Sequence, residues 1–300
     1  MNEIIKKTAR IGIITFIFTL LISFQAIAKP VIPSGESIGI RLELSGLLVT
    51  EVEENSIANK AGLERGDYIQ DYKSIDELST IKSGGNLQVL RHNKVINIKI
   101  CEFRDNFGAK VKKSITGIGT LTFYDVENNQ IYAIGHKMID IETGADIPFE
   151  NGIIYKSKIA GIKRSENGKS SELRGIFNSS NKIIGNVLKN NNYGIIGSSL
   201  NPLSEGIVET SKPIKGLATI LTTIKGEKIE EYQIEIEQVI KENKDRNISI
   251  KVIDENLLNQ TGGIAAGMSG SPIMQNGFLV GVVTHVSVNE PQFGYGRTIE

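Results

Sequence analysis

The stretch "TGGIAAGMSGSPIMQNGFLVGVVTH", from Thr261 to His285, decides the fold of this chain. It places two serines, Ser269 and Ser271, among glycines and continues into an apolar segment with an Asn276-Gly277 turn. Glycine permits backbone conformations that other residues resist, and Asn-Gly is the strongest short-range signal for a β-hairpin. A serine held in such a turn either fills a loop or is presented as a reactive hydroxyl.

The surrounding sequence predicts short β-strands. From about residue 104, apolar segments such as "GIGTLTFYD", "GLATILTTI" and "EEYQIEIEQVI" recur between glycine or asparagine turns. Regular short strands of this kind are typical of an all-β sandwich or barrel. Helical periodicity is weak, except that Asp254 predicts the cap of a short helix ending before Gly262. The chain is therefore expected to be mainly β.

A smaller unit, residues 37–103, precedes these strands. Its segment "SIANKAGLERGD", residues 56–67, predicts a short capped helix, a glycine stop and a turn into a strand. A hairpin is predicted to turn at His92-Asn93-Lys94, where His92 is interpreted as a solvated polar residue. This unit resembles a PDZ domain.

The PDZ resemblance implies a peptide-binding site. The loop "SIGI" would hold a peptide carboxylate on its backbone N–H groups, with Ile38 and Gly39 at its centre. The strand Ile40–Leu44 would be the edge that accepts a peptide or protein C-terminus by β-augmentation. The alternative is a β-rich spacer that binds nothing.

The N-terminus predicts export. Lys6, Lys7 and Arg10 precede an apolar run that thins towards Ala26 and Ala28, as in a signal peptide with a small-residue cleavage site. Residues 1–28 are therefore interpreted as a signal peptide or an uncleaved membrane anchor, and residues 29–36 as a linker. Either interpretation places the rest of the chain outside the cytoplasm, with membrane association through the N-terminus.

Composition argues against several classes of protein. The 34 basic and 34 acidic residues balance without a basic block, so no nucleic-acid partner is expected. Cys101 is the single cysteine, so no disulfide can form within the chain. The three histidines (His92, His136 and His285) are too scattered for a zinc motif, and we expect no metal or other cofactor.

Ser269 and His136 have the features that acyl-transfer chemistry needs. A serine needs a neighbouring base and preorganised N–H donors for the oxyanion. Gly267 allows the backbone to turn so that its own N–H and that of Ser269 point into one hole. His136 follows an apolar strand and a glycine, a position suited to a general base. Ser271 is a second candidate hydroxyl, and His285 is interpreted as a packing residue or site wall.

Four segments in this order resemble the stage IV sporulation protein B peptidase family. They are "TGIGTLTFYD" (116–125), "YAIGHKMIDIETG" (132–144), "TGGIAAGMSGSPIMQNG" (261–277) and "GVVTHVSVNEPQFGYG" (281–296). The resemblance implies an exported N-terminus, a PDZ domain and, over residues 104–300, a serine peptidase domain with a chymotrypsin-like double β-barrel.

The resemblance also implies roles for particular residues. Ser269 would be the nucleophile, His136 the base and Asp254 the orienting acid, while the amides of Gly267 and Ser269 would form the oxyanion hole. Asp140 and Asp146 remain alternatives for the acid, because chymotrypsin-like barrels usually draw it from nearer the histidine in sequence. Met268 precedes the nucleophile where digestive proteases have an acid, so regulation is expected from the PDZ domain or from self-cleavage.

The family further implies a signalling role. Such a peptidase acts between the forespore and mother-cell membranes and cleaves a membrane-bound regulator of an intramembrane metalloprotease, which then processes a mother-cell sigma factor. Two alternatives are an inactive PDZ adaptor and a general envelope quality-control protease. In the latter class the PDZ domain usually follows the catalytic domain, whereas here it precedes it.

Overall fold

The computed structural model describes residues 29–78, 81, 84–92, 94–101, 107–164, 170–178, 180–200, 203, 205–240, 243, 245–287 and 289–299. The strands before residue 210 are β1 (Pro30–Pro33), β2 (Ser37–Val52), β3 (Tyr68–Ile69), β4 (Asn86–Arg91), β5 (Lys94–Lys99), β6 (Ala109–Asp125), β7 (Gln130–Ala133), β8 (Phe149–Lys156), β9 (Lys158–Lys163), β10 (Glu172–Ile176), β11 (Ile183–Asn191), β12 (Gly194–Ser199) and β13 (Val208–Glu209). Those after it are β14 (Gly216–Lys225), β15 (Lys228–Val239), β16 (Ile248–Val252), β17 (Pro272–Gln275), β18 (Phe278–Val286) and β19 (Phe293–Thr298). Three short helices are α1 (Ile57–Lys60), α2 (Ile75–Leu78) and α3 (Glu255–Thr261).

The first barrel is built from six antiparallel strands. They follow the order β6-β7-β12-β11-β8-β2, and pairing between β2 and β6 closes the ring. Buried aliphatic side chains from all six strands fill it, among them Ile38, Leu121, Ile131, Ile154, Ile184 and Ile195. Closure leaves these six strands without a free edge along their paired segments, which is how antiparallel barrels protect their backbone groups.

The second barrel is also a closed ring of six strands, in the order β14-β15-β16-β19-β18-β17. Alternation along β16 shows why these segments form strands: Ile248, Ile250 and Val252 are buried, whereas the residues between them are half-buried. This period of two places one set of side chains in the barrel interior. The prediction of a mainly β chain with a chymotrypsin-like double barrel is confirmed.

A small insert lies between β2 and β6. It contains α1, α2 and the strands β3, β4 and β5, and it has its own core, which includes Leu47, Val49, Leu63, Leu78 and Leu87. Ser56 caps α1 by accepting a hydrogen bond from the Asn59 amide, and Gly62 follows with φ 85°, as the sequence predicts. The identity of the insert as a PDZ domain remains a prediction.

The predicted peptide-binding edge is wrong, because β2 is paired on both sides there. Ile38 pairs with Gly119 of β6 and with Lys156 of β8, and the same double pairing continues to Glu43. Ile38 and Ile40 are fully buried in the first barrel. Gly39 is covered too, since a Cβ there would lie 2.2 Å from the Phe177 ring. No peptide can add to this segment of β2 while the barrel is closed.

The predicted boundary at residue 37 falls at the start of a strand shared by two cores. The first part of β2, residues 37–44, packs in the first barrel; further along, Leu47 and Val49 pack in the insert, whereas Leu48 still packs in the first barrel. The predicted linker also contains a strand, because β1 pairs with β6 and β13. The first barrel is therefore assembled from residues on both sides of the insert.

The N-terminal segment 1–28, predicted to be a signal peptide or anchor, lies outside the described residues. Within the described part of the chain, no helix has the length and apolarity needed to cross a bilayer.

Candidate active site

The serine loop joins α3 to β17. Gly267 and Gly270 flank Met268 and Ser269 with φ values of 98° and 100°, a region that favours glycine. Met268 is fully buried and its amide donates to the Ala265 carbonyl, so the loop is anchored from within the second barrel. Ser269 itself is half-buried.

The second serine has a different environment. Ser271 is fully buried, and its hydroxyl has no hydrogen-bond partner among the described residues. A hydroxyl enclosed in the protein cannot reach a peptide substrate. The structure therefore favours Ser269 over Ser271 as the reactive serine.

The first barrel contacts the serine loop directly. The Thr120 amide donates to the Ser269 carbonyl at 3.0 Å, and the Thr120 hydroxyl donates to the Gly267 carbonyl at 2.9 Å. Gly270 fits against the start of the histidine segment, since a Cβ there would lie 2.6 Å from the Ile134 nitrogen. These contacts bring the predicted serine and histidine segments together.

A tight turn leads from β7 to His136. The Gly135 amide donates to the Ala133 carbonyl at 2.8 Å, which makes Ile134 the centre of a γ-turn with φ 68°. Such turns are rare and strained, and a β-branched residue at positive φ is an outlier. Strain of this kind clusters at functional sites. Burial of the Ile134 side chain, which is 5% exposed, holds the turn in place.

A backbone carbonyl orients the histidine. His136 Nδ1 lies 3.0 Å from the Lys137 carbonyl oxygen. Because a carbonyl oxygen only accepts hydrogen bonds, Nδ1 must carry the proton, and Nε2 of the neutral ring then has a free lone pair. This is the tautomer that a general base requires. Asn190 fixes Met138, the residue after Lys137, since its side-chain amide donates to the Met138 carbonyl and accepts from the Met138 amide.

The serine hydroxyl points to the second barrel. Ser269 Oγ donates to the Thr284 carbonyl of β18 at 3.0 Å, and no hydrogen bond joins it to His136 in the described structure. Gly135 lies against the same segment, because a Cβ there would meet Val282, Val283 and Thr284 within 3.3 Å. If the imidazole is the base, the hydroxyl must turn from Thr284 to the imidazole.

Two amides beside the serine are available to an oxyanion. Among the described residues, neither the Gly267 amide nor the Ser269 amide donates a hydrogen bond, whereas Met268, Gly270 and Ser271 donate theirs within the fold. Two unused N–H groups on one glycine-rich turn are the donors that a tetrahedral intermediate needs. The oxyanion hole at these two amides remains a prediction.

Among the described residues, no carboxylate acts on His136. Asp254 caps α3: one oxygen accepts from the Leu257 amide at 3.0 Å and the other from the Gln233 amide at 3.3 Å. The reserve candidates are also engaged elsewhere, Asp140 with Lys112 and Asp146 with Lys137. The Lys137 carbonyl therefore occupies the position at Nδ1 that a triad gives to its acid.

A second imidazole, which sequence reasoning treated as a wall, lies beside the first. The rings of His136 and His285 have centroids 5.6 Å apart and are tilted by 37°. Burial lowers the pKa of His136, and the positive charge of Arg297 lowers it further, against the opposing effect of the Lys137 carbonyl. Burial lowers the pKa of His285 to about 4, with Arg246 and His136 adding to the effect. Both rings are neutral at pH 7.

No group of three or more potential metal ligands occurs among the described residues. The groups that meet at the site, a serine hydroxyl, an imidazole and two backbone amides, are those that acyl transfer uses.

Two closed β-barrels that meet at a glycine-flanked serine and a histidine are the architecture of chymotrypsin-like serine peptidases. The family model SpoIVB peptidase S55 matches residues 104–300 of this chain. That match covers more than half of the chain, which thus belongs to the SpoIVB peptidase family and is a serine endopeptidase. No curated protein matches it significantly. The matched region begins after β5 of the insert, although β2 belongs to the same barrel as the strands that follow.

Proposed function

We propose that this peptidase cleaves a membrane-bound regulatory protein during sporulation and so allows an intramembrane metalloprotease to process a mother-cell sigma factor. The family membership and the apolar, positively flanked N-terminus support this proposal. The peptidase would remain associated with a membrane through residues 1–28 and act between the forespore and mother-cell membranes.

The observation that carries the chemistry is the meeting of Ser269, His136 and two unused amides between the barrels. His136 Nε2 takes the hydroxyl proton while Ser269 Oγ attacks the scissile carbonyl carbon. The Gly267 and Ser269 amides then hold the negative oxygen of the tetrahedral intermediate. The same proton passes to the leaving amine as the C–N bond breaks, and water hydrolyses the acyl-enzyme by the reverse proton path.

A Ser–His dyad oriented by the Lys137 carbonyl is the form of this mechanism that the geometry favours. In a triad the acid holds the imidazole tautomer and stabilises the imidazolium. Here the carbonyl holds the tautomer, and the negative end of its dipole faces the ring. Asp254 acts through the helix that it caps, which leads into the serine loop.

The insert is placed to regulate the site. Its residue Arg65 donates to the Glu142 carbonyl, and Lys112, at the junction of the insert with the first barrel, pairs with Asp140 and Glu142. Both acids lie in the loop after His136, so a partner that moves the insert would act on the segment that contains the base. We propose this coupling as the route by which the predicted PDZ unit controls cleavage.

Labelling by a serine-directed fluorophosphonate tests the chemistry. Residues 29–300 of the wild type should be labelled, and both Ser269→Ala and His136→Ala should abolish labelling, because each removes part of the activated nucleophile. Ser271→Ala is the matched control and should still be labelled. Labelling that survives in Ser269→Ala, or that is absent from folded wild type, would contradict the proposal.

The substrate is tested separately. Vesicles that carry the candidate membrane-bound regulator should show its cleavage on addition of wild type and none with Ser269→Ala. A labelled, folded peptidase that leaves the regulator intact would retain the chemistry and refute this substrate.

A further inference from the structure

His285 reaches the active site from the second barrel. It lies on β18 directly after Thr284, whose carbonyl accepts the Ser269 hydroxyl. The pairing of β18 with β19 shifts register between Val283 and His285. Such a bulge re-aims the side chain that follows it, and bulges are frequent next to active sites. The side chain that this bulge redirects is the one in contact with the His136 ring.

In the described structure, no hydrogen bond at Nδ1 holds the His285 ring beside His136. That atom is buried and has no hydrogen-bond partner among the described residues. A buried polar atom without a partner costs about 1–3 kcal/mol. A phenyl or aliphatic side chain would fill the same space without this cost, so the position is not optimised for the stability of the barrel.

Two neighbours cover part of the half-buried His136 ring. The Lys137 carbonyl lies at Nδ1, and the His285 ring packs beside the imidazole. The charged groups that act on the two imidazoles are Arg297 on β19, with Arg246 and Asp245 on the connection before β16. The carboxylate of Asp245 acts on His285, not on His136.

We propose that His285 is a positioning residue, which packs against the His136 imidazole, excludes water from it and so keeps it neutral and correctly oriented as the base. This inference rests on the proposed serine–histidine chemistry and adds a residue of the second barrel to it. His285 takes no proton in the reaction; its ring acts by its shape and its contact.

The test is the pH dependence of fluorophosphonate labelling in three proteins: wild type, His285→Ala and His285→Phe. Removal of the ring admits water to His136 and lessens the burial that disfavours its charged form, so the pKa of His136 rises. The acid limb of the rate should therefore move to higher pH in His285→Ala, with the plateau rate lower by on the order of tenfold. His285→Phe should restore both, because it returns a planar ring of similar size.

His92→Ala, which removes an exposed histidine of the insert, is the control and should match wild type. A His285→Ala protein with an unchanged acid limb and plateau would overturn the proposal. A His285→Phe protein that behaves like His285→Ala would overturn it too, since the imidazole nitrogens would then be needed. Failure of the underlying chemistry is distinguishable, because wild type itself would then not be labelled.

Discussion

At the scale of single residues, the site depends on which atoms face His136. The sequence supplies three candidate acids after the histidine, yet the fold engages each of them elsewhere. Asp254 is the clearest case, because both of its oxygens accept from backbone amides around α3. Its contribution is then to the position of the serine loop. Asparagine can replace it as the helix cap, because its single side-chain oxygen can still accept from the Leu257 amide, with loss only of the longer bond from the Gln233 amide.

Asp254→Asn should accordingly retain most of the fluorophosphonate labelling rate, whereas Asp254→Ala should lower the free energy of unfolding by about 1 kcal/mol. A catalytic acid would behave differently, because asparagine at that place in a triad lowers the rate by about 10⁴-fold. Labelling kinetics and urea unfolding of both variants measure the two effects. A collapse of labelling in a fully folded Asp254→Asn protein would restore Asp254 as the acid.

At the scale of elements, two neighbouring turns require glycine for different reasons. Gly270, in the serine loop, has φ 100°, and a Cβ there would lie 2.1 Å from the Thr120 carbonyl oxygen of the other barrel. Gly277, in the β17–β18 hairpin, has φ 82° and open space around its Cβ position. Contact between the barrels requires a glycine at Gly270, whereas only the backbone conformation favours one at Gly277.

Gly270→Ala should therefore destabilise the protein by about 3 kcal/mol or more and abolish labelling, because the added methyl group must push the barrels apart. Gly277→Ala should cost only about 1 kcal/mol, the conformational penalty of a left-handed alanine, and keep its labelling. Urea unfolding monitored by circular dichroism compares the two. Equal losses of stability in the two variants would show that contact between the barrels at Gly270 is not tight.

Local elements were predictable from the sequence, and long-range pairings were not. The Asp254 cap and the Asn276-Gly277 turn depend on residues a few positions apart, so their side chains and glycines specify them. The partners of Ile40–Leu44 lie far along the chain, and nothing in that segment shows whether its edge is free. The aim of His285 depends on a bulge, which a regular alternation of apolar residues does not reveal.

At the scale of the whole molecule, the insert leaves the first barrel between two adjacent strands, β2 and β6, and this suits it for excision. Glu43 pairs directly with Ser114, so the two strands that lead into the insert leave the barrel side by side. A two-residue hairpin turn can connect such neighbours. Excision would leave Asp140, which is 2% exposed, without its partner Lys112, and it would remove Leu48 and Tyr68 from the core of the first barrel.

A variant in which Asn-Gly replaces residues 45–112, combined with Asp140→Asn, should fold and be labelled by fluorophosphonate. Removal of residues 37–103 should instead give no folded protein, because it deletes the first part of β2 from a closed six-stranded ring. Thermal unfolding and labelling of the two variants decide between them. If the variant without residues 45–112 fails to fold, the first barrel needs the insert for its stability.

The position of β1 also determines the order in which the chain can complete itself. Val31 is synthesised long before Val208, its partner in β13. Until Val208 has emerged, β1 has no partner strand on that side, and the backbone groups there can pair with any extended segment nearby. Assembly must therefore wait for late-made residues, a high-contact-order topology that folds slowly and is prone to mispairing on the way.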